Sequence, residues 1–326
     1  MSCKLVVTID TEEEFDWAAP VSSNQTAVTH FAQLHILQRV FDECNVRPTY
    51  VIDYPVATQS DSVFVLQGFM ENGNCEIGAH LHPWVNPPID ETLSPRNTFL
   101  CNLPLELQKR KLGILTDAIE GNFGVKPTTF KAGRYGFDVM LADELRRLGY
   151  TADTSMLAYT DMTFEDGPDF SVQDNQPFWI ESSSSTPLLE VPCSVGFTRR
   201  PFRRWSRIHN ALATSSIASR LRVIGMLWHS RIVRRSVLTP EGTAAADVIS
   251  VMKTMVRDNP EVINITLHSS TVVPGNTQYV RNSGELEQFL DRLRSILEYA
   301  IIELAATPMT ISEFAGWYAT KTMNDG

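Results

Sequence analysis

Short apolar runs recur along the chain, and most are followed by a longer segment in which apolar residues repeat with helical spacing. Short apolar runs favour buried strands, whereas apolar positions one helical turn apart favour a helix with one buried face. The predicted strands are 4–10, 48–53, 76–82, 128–132, 151–155, 188–192, 262–268 and 309–312. The predicted helices are 28–44, 103–123, 138–148, 243–257 and 284–305. This alternation predicts βα units around a parallel sheet, in one barrel-like α/β domain that spans 1–326.

One region breaks the alternation of strands and helices. Between Glu190 and Glu241 there is no acidic residue, yet ten of the chain's 28 basic residues lie there, all of them arginine. Aromatic and aliphatic residues are interleaved with these arginines, including Phe202 and Trp205. We therefore predict a basic helical insertion at 197–239, within the barrel domain.

Composition and short motifs indicate a cellular location and argue against several classes of protein. The chain has 326 residues, of which 43% are hydrophobic, and a net charge of −10, which argues against a nucleic-acid partner. Five cysteines form no C-x-x-C pair, and the N-terminus has no apolar leader, so we expect a reducing, cytoplasmic location. Signatures of P-loops, dinucleotide sites, zincins and serine hydrolases are absent from the sequence.

The first predicted strand ends in a pair of carboxylates, Asp10 and Glu12. Side chains alternate along a strand, so these two face the same side. Two acids placed together can act as acid and base, or as a base beside a metal ligand, because a cation relieves their repulsion. The alternative is a solvated acidic loop.

A pair of histidines, His80 and His82, follows the third predicted strand in the segment H-L-H-P-W at 80–84. On extended backbone, residues i and i+2 project to the same side, so both imidazoles can bind one ion. The alternative is a pair of partly exposed loop histidines. Only seven histidines occur in the chain, and these two follow an apolar strand, which favours the metal site.

Two further segments carry candidate chemistry at predicted strand ends. His268 ends the apolar strand 262–268, where a general acid is a better interpretation than a structural histidine, given the other candidates. The segment K-A-G-R-Y-G at 131–136 passes from a strand into a glycine-flanked loop with two cations, Lys131 and Arg134. Arg134 could orient a carboxylate or bind substrate oxyanions, whereas the alternative is an ordinary turn with surface cations.

The order of these segments resembles the polysaccharide deacetylase superfamily, also called the NodB-homology or carbohydrate esterase 4 superfamily. The match is carried by Asp10 with Glu12, the histidine pair after E-I-G at 76–78, the loop 131–136, D-T-S at 153–155, and Leu267 with His268. The H-L-H-P-W segment and the loop are similar to a branch found among lipopolysaccharide O-antigen biosynthesis enzymes. The resemblance runs from residue 4 to about residue 317, outside the arginine-rich insertion.

The resemblance implies a distorted (β/α)7-type barrel with one divalent metal, zinc first and cobalt, manganese or nickel as alternatives. It implies Asp10 as catalytic base, Glu12, His80 and His82 as metal ligands, and His268 as general acid. Lys131 or Arg134 matches the arginine of the third motif, and the backbone N–H of Tyr135 matches an oxyanion-hole donor. Metal-bound water would attack the amide carbonyl, with Asp10 taking its proton and His268 protonating the leaving amine.

The sequence departs from the superfamily pattern at three positions. Thr11 separates two acids that are adjacent aspartates in most members, and the histidine pair is H-x-H in place of H-x-x-x-H. Lys131 stands where the third motif usually opens with arginine, and the loop is one residue longer.

Two functions follow from these residues. The first is a metal-dependent enzyme that removes an N-acetyl or other N-acyl group from an amino sugar in polysaccharide or lipopolysaccharide biosynthesis. Its substrate would be an acetylated amino sugar, for example one linked to a nucleotide or a lipid diphosphate. We expect substrate contacts from Trp84, Asp153, Arg203, Arg204 and Arg207. The alternative is a catalytically decayed barrel that binds an anionic lipid or diphosphate through the arginines, at the inner face of the membrane.

Overall fold

The computed structural model describes residues 3–17, 19–181, 187–214 and 233–325. Its strands are β1 (Lys4–Thr11), β2 (Thr49–Ile52), β3 (Glu76–Leu81), β4 (Thr129–Ala132), β5 (Ala152–Asp153), β6 (Phe178–Trp179), β7 (Leu189–Glu190), β8 (Val195–Phe197), β9 (Arg235–Val237), β10 (Val262–His268) and β11 (Thr307–Pro308). Its α-helices are α1 (Leu34–Glu43), α2 (Tyr54–Thr58), α3 (Ser60–Glu71), α4 (Leu105–Phe123), α5 (Ala142–Leu148), α6 (Phe202–Thr214), α7 (Ala245–Met255), α8 (Ser283–Glu298) and α9 (Ile311–Asp325). The predicted α/β fold is confirmed.

A curled sheet with the order β10-β1-β2-β3-β4-β5-β7-β6 forms the framework, and β11 also pairs with β1. All these neighbours are parallel except β6 and β7, which are antiparallel. The apolar side chains of β1, including Leu5, Val7 and Ile9, are fully buried in the core. Central parallel strands are covered on both faces, which explains the continuous apolar runs in the sequence.

Irregular segments beside β8 and β9 continue the wall past β10. The backbone N–H of Asn264 donates to Ser194 Oγ at 2.9 Å, and the N–H of Thr266 donates to the Leu238 carbonyl at 3.0 Å. The N–H of Leu238 in turn donates to the Ser194 carbonyl at 2.9 Å. The free edge of β10 is therefore bonded to the chain around 194 and 238, which curls the sheet towards a barrel.

The predicted strand at 309–312 is wrong, because β11 ends at Pro308 and α9 begins at Ile311. The Glu313 carboxylate accepts the backbone N–H of Thr310 at 3.1 Å, and Thr310 Oγ1 accepts the N–H of Glu313 at 3.3 Å. This reciprocal arrangement is a capping box, which the spacing T-x-x-E indicates in the sequence. The helices α2 and α3, which follow β2, were also not predicted.

Among its described residues, the predicted insertion at 197–239 contains strand as well as helix. It begins and ends in an antiparallel ribbon, in which β8 pairs with β9, and α6 is the helix that follows β8. The rest of the prediction, including Arg220, Arg222 and Arg231, lies outside the described residues. Within the described part of the chain, no helix combines the length and the apolar character needed to cross a bilayer.

Candidate metal centre and catalytic pocket

The carboxyl ends of the parallel strands meet at one cavity of about 720 Å³. In the register of β1 and β10, Asp10 lies opposite His268. His80 near the end of β3 and His82 just past it lie at the same edge of the sheet. The lining is acidic, histidine-rich and aromatic, and it includes Asp10, Glu12, Phe15, Trp17, His80, His82, Trp84, Phe99, Arg134, Tyr135, Glu165, His268 and Tyr279. Residues from sequence segments far apart therefore share one pocket, as ligand sites of α/β sheets do.

Glu12, His80 and His82 form a buried group whose ligand atoms could hold one metal ion. Glu12 Oε2 lies 3.4 Å from His80 Nε2 and 3.3 Å from His82 Nε2. Burial raises the pKa of Glu12, but the nearby His268 and His82 outweigh it and leave that pKa below its usual value. Burial lowers the pKa of His82, which favours the neutral imidazole that binds metals. Two imidazoles and a carboxylate are a donor set suited to zinc-like ions.

The next acid along the chain, Glu13, also contacts His82, on the opposite side of its ring. Glu13 Oε2 lies 2.9 Å from His82 Nδ1, and Glu13 Oε1 accepts the indole N–H of Trp84 at 2.6 Å. Burial and the charge of Glu12 raise the pKa of Glu13 to about 8, and burial and Glu13 raise the pKa of Asp53 well above its usual value. The hydrogen bond between the two carboxyl groups lowers the pKa of Glu13 and raises that of Asp53, which favours Asp53 as the proton carrier of this pair.

The catalytic base predicted from the sequence, Asp10, is paired with Lys131. Lys131 Nζ lies 2.6 Å from Asp10 Oδ1 and 2.8 Å from Oδ2, and it also donates to Thr266 Oγ1 at 3.2 Å. Burial raises the pKa of Asp10, but the ammonium and the nearby His80 and His268 outweigh it and keep Asp10 below its usual value. Asp10 is therefore a buried carboxylate that is ionised at neutral pH.

The predicted general acid, His268, lies across from Asp10 and pairs with Glu241. His268 Nδ1 is 2.8 Å from Glu241 Oε2, and His268 Nε2 is 3.9 Å from Asp10 Oδ2. Glu241 also accepts the backbone N–H of His268 at 3.0 Å and the side-chain hydroxyl of Thr271 at 2.6 Å. Burial lowers the pKa of His268, but Glu241 and Glu12 outweigh it and raise that pKa to about 10. His268 therefore carries a transferable proton at neutral pH.

The loop after β4 has strained backbone at two residues that line the cavity. Arg134 and Tyr135 have φ of 53° and 60°, in the left-handed region that non-glycine residues rarely occupy. The Arg134 guanidinium lies 4.3 Å from the ring centroid of Phe99, donates to Thr98 Oγ1 at 2.5 Å, and is 3.3 Å from the Glu165 carboxylate. Of the two predicted cations, Lys131 thus contacts Asp10, whereas Arg134 lies on the wall of the cavity.

Some residues predicted to contact substrate lie elsewhere. Asp153 is fully buried, accepts the hydroxyl of Ser155 at 2.6 Å, and does not line the cavity. Its strand is separated from β3 by β4, which places it away from the histidine pair. Arg203 is on α6 and forms an ion pair with Asp174 at 3.0 Å, beside a separate small groove.

The two other arginines of this prediction, Arg204 and Arg207, are exposed on α6 and are not among the residues that line the cavity. Trp84 does line it, but this ring is 1% exposed and donates its N–H to Glu13. In this arrangement Trp84 supports a carboxylate at the metal centre.

Sequence reasoning missed two glutamates of the site, Glu13 and Glu241. Strand alternation turns Glu13 away from Asp10 and Glu12, so its contact with the outer nitrogen of His82 is invisible from periodicity alone. Glu241 is 27 residues from its partner His268 along the chain. One available signal was that Glu241 is the first acidic residue after Glu190, directly behind the arginine-rich stretch.

Comparison with known proteins supports the fold. No protein-family model matches the sequence, and no curated protein matches it. A solved structure assigned as a polysaccharide deacetylase from Mycobacterium smegmatis is 14% identical, with a TM-score of 0.56 over 98% of this chain and 91% of that one. Another assigned as a polysaccharide deacetylase, from Pseudomonas aeruginosa PAO1, is 13% identical, with a TM-score of 0.53 over 96% and 89%.

The same fold also occurs in proteins described by other activities. The Puue allantoinase is 13% identical, with a TM-score of 0.56 over 98% of this chain and 90% of that one. The chain thus has the NodB-type (β/α)7 barrel fold of the polysaccharide deacetylases. Because one fold can carry several chemistries, the reaction must be argued from the side chains of the pocket.

Proposed function

We propose that this protein is a metal-dependent hydrolase that removes an N-acetyl or other N-acyl group from an amino sugar. One observation carries the proposal. A buried Glu-His-His group shares a cavity with an ionised carboxylate, Asp10, and a protonated histidine, His268. Amide hydrolysis needs a proton acceptor for attacking water, stabilisation of a developing oxyanion, and a proton donor for the leaving amine.

Glu12, His80 and His82 would hold the metal, for which zinc is the first candidate and cobalt, manganese and nickel are alternatives. When bound, such an ion supplies Lewis acidity, which activates water near neutral pH and polarises the acyl oxygen. Asp10 accepts the proton of the attacking water, and Lys131 keeps Asp10 ionised before that transfer. His268 donates its proton to the amine nitrogen when the carbon–nitrogen bond breaks, and Glu241 stabilises the imidazolium until then.

The loop after β4 completes the site. The backbone N–H of Tyr135 is the proposed donor to the oxyanion, a contribution of roughly 3 kcal/mol where such donors have been removed from other enzymes. The left-handed conformation of Arg134 and Tyr135 is the local strain that this positioning requires. Phe15 and Trp17, whose rings stack at a centroid distance of 5.4 Å, offer an aromatic wall for a sugar ring.

We further propose that the acyl sugar carries an anionic group, such as a nucleotide or lipid diphosphate, and belongs to polysaccharide or lipopolysaccharide O-antigen biosynthesis in the cytoplasm. Arg134 supports this proposal, because it is the one lysine or arginine among the described residues that line the cavity. Its guanidinium is about one third exposed and has donors beyond those engaged with Thr98 and Glu165. The alternative of a decayed barrel has less support, because Asp10 and His268 share one cavity with the three candidate ligands.

The test measures acetate released from nucleotide-linked acetamido sugars by purified protein, first stripped with a chelator and then given Zn²⁺, Co²⁺, Mn²⁺ or Ni²⁺. We expect metal-dependent release that His82→Ala abolishes, because the variant lacks one of three ligands. His35→Ala is the matched control, since His35 is exposed on α1. No release from any N-acyl sugar, with metal bound at full occupancy, would contradict the proposal.

A further inference from the structure

Two consecutive glutamates contact the two nitrogens of one imidazole ring. Glu12 Oε2 lies 3.3 Å from His82 Nε2, and Glu13 Oε2 lies 2.9 Å from His82 Nδ1. A neutral imidazole has one N–H, so only one of the two glutamates can accept a hydrogen bond from the ring at a time. If the proton is on Nε2, it bonds to Glu12 and blocks the lone pair that a metal needs. If it is on Nδ1, it bonds to Glu13 and Nε2 is free to bind metal.

The His82 ring itself is closely packed on two sides. Trp84 stacks on it, with a centroid distance of 4.2 Å and an interplanar angle of 25°. On another side is Gly133, where an added Cβ would come within 2.2 Å of His82 Cδ2 and 2.8 Å of the Leu81 carbonyl. The ring therefore has little freedom to rotate, and the acceptors at its two nitrogens decide which tautomer forms.

Glu13 is anchored independently of the cavity. It is 1% exposed, and its backbone N–H donates to Asp53 Oδ2 at 2.8 Å. The other oxygen of Asp53 accepts the N–H of Val56 at 2.9 Å and thereby caps α2. The indole N–H of Trp84 occupies the second oxygen of Glu13. The bond from the Glu13 N–H to Asp53, the α2 cap made by Asp53 and the indole of Trp84 together fix Glu13. Its Oε2 is thereby directed at His82 Nδ1.

We propose that Glu13 is a positioning residue that holds His82 in the Nδ1–H tautomer and so makes the closely spaced H-x-H pair a competent metal ligand. The inference rests on the proposed metal centre but not on the acyl-sugar substrate. Glu13 does not touch the metal position or the reacting atoms, because its carboxylate lies on the outer side of the His82 ring.

The test compares Glu13→Gln with Glu14→Gln. The control carries the same substitution one residue further along, at a glutamate that also pairs with a histidine, since Glu14 Oε1 is 3.0 Å from His30 Nδ1. His30 does not line the cavity, so loss of the ion pair between Glu14 and His30 should leave the metal site unchanged. Zinc affinity is measured by titration calorimetry, and the His82 tautomer in metal-free protein is read from the ¹⁵N shifts of labelled histidine.

We expect Glu13→Gln to bind zinc about 10–100-fold more weakly than the unaltered protein, as removal of outer carboxylate partners does elsewhere. The Nε2–H tautomer of His82 should become populated in this variant, while Glu14→Gln matches the unaltered protein in both measurements. A Co²⁺-loaded sample should show a changed visible spectrum for Glu13→Gln, which a general loss of stability would not produce. Equal zinc affinity and an unchanged tautomer in Glu13→Gln would overturn the inference.

A second variant separates hydrogen bonding from folding. In Glu13→Gln the amide must present its NH₂ to either His82 or Trp84, both of which are donors there. Adding Trp84→Phe removes one donor, so the glutamine oxygen can accept from His82 Nδ1, and we expect most of the zinc affinity to return. Failure of this rescue in a folded double variant contradicts the role of Glu13 as acceptor. Failure of the unaltered protein to bind zinc instead contradicts the metal centre, while the tautomer measurement still tests Glu13.

Discussion

Two histidines on opposite sides of the cavity each contact a glutamate through Nδ1, yet their charge states differ. His82 Nδ1 is 2.9 Å from Glu13, and His268 Nδ1 is 2.8 Å from Glu241. Burial lowers the pKa of His82, whereas Glu241 and Glu12 overcome burial and raise that of His268 to about 10. A histidine–glutamate contact alone therefore does not determine whether the ring is a neutral ligand or a cationic acid.

The surroundings of the two glutamates explain the difference. Glu13 shares its buried environment with Asp53 and Glu12, and burial and the charge of Glu12 oppose its ionisation. Glu241 instead accepts a backbone N–H and the Thr271 hydroxyl, which stabilise its carboxylate. The charge of Glu241 thus favours the protonated form of His268, whereas Glu13 serves mainly to orient His82.

The largest expected effect on activity comes from removal of His268, the proposed general acid. His268→Ala should lower kcat by about 10²–10⁴-fold, the usual contribution of a positioned proton donor, while zinc affinity stays unchanged. Stopped assays for acetate and calorimetric zinc titration check the two halves of the prediction. A parallel loss of zinc affinity would show that His268 is a ligand and that the division between the two histidines is wrong.

A smaller effect is expected when His268 loses only its partner. Glu241→Gln should lower kcat by about a hundredfold, because the amide keeps one hydrogen bond but no longer stabilises the imidazolium. His268 must be protonated to act as acid, so activity is lost as pH rises through its pKa. Without the Glu241 charge that pKa falls, and the alkaline limb of the pH–kcat profile should move to lower pH.

The control for that experiment is Glu285→Gln, which removes an exposed ion pair with Arg281. Its pH profile should overlay that of the unaltered protein. An alkaline limb that stays in place in Glu241→Gln would assign that limb to another group and remove the contrast between the two histidines.

The fold and the meeting of the main side chains were predictable from the sequence, because both follow from strand order. Asp10, His80 and His268 end parallel strands, and strands ordered in this way bring their carboxyl ends to one edge. The glutamates that contact His82 and His268 were not predictable. Side-chain alternation along the strand turns Glu13 away from Asp10 and Glu12, and Glu241 follows the insertion, far from His268 along the chain. Asp153 shows that a polar residue at a strand end can also be bonded within the core, because it is fully buried and accepts the hydroxyl of Ser155.

The smallest expected effect concerns substrate capture, which neither histidine pair controls. Arg134→Met should raise KM about tenfold for a diphosphate-linked acyl sugar and leave kcat nearly unchanged, because a half-buried charged contact is lost. A neutral N-acyl sugar should show no change in KM. Arg203→Gln is the matched control, since Arg203 pairs with Asp174 outside the cavity. If Arg203→Gln alone raised KM, the anionic group would bind on α6, and the arginine-rich insertion would take the role assigned to Arg134.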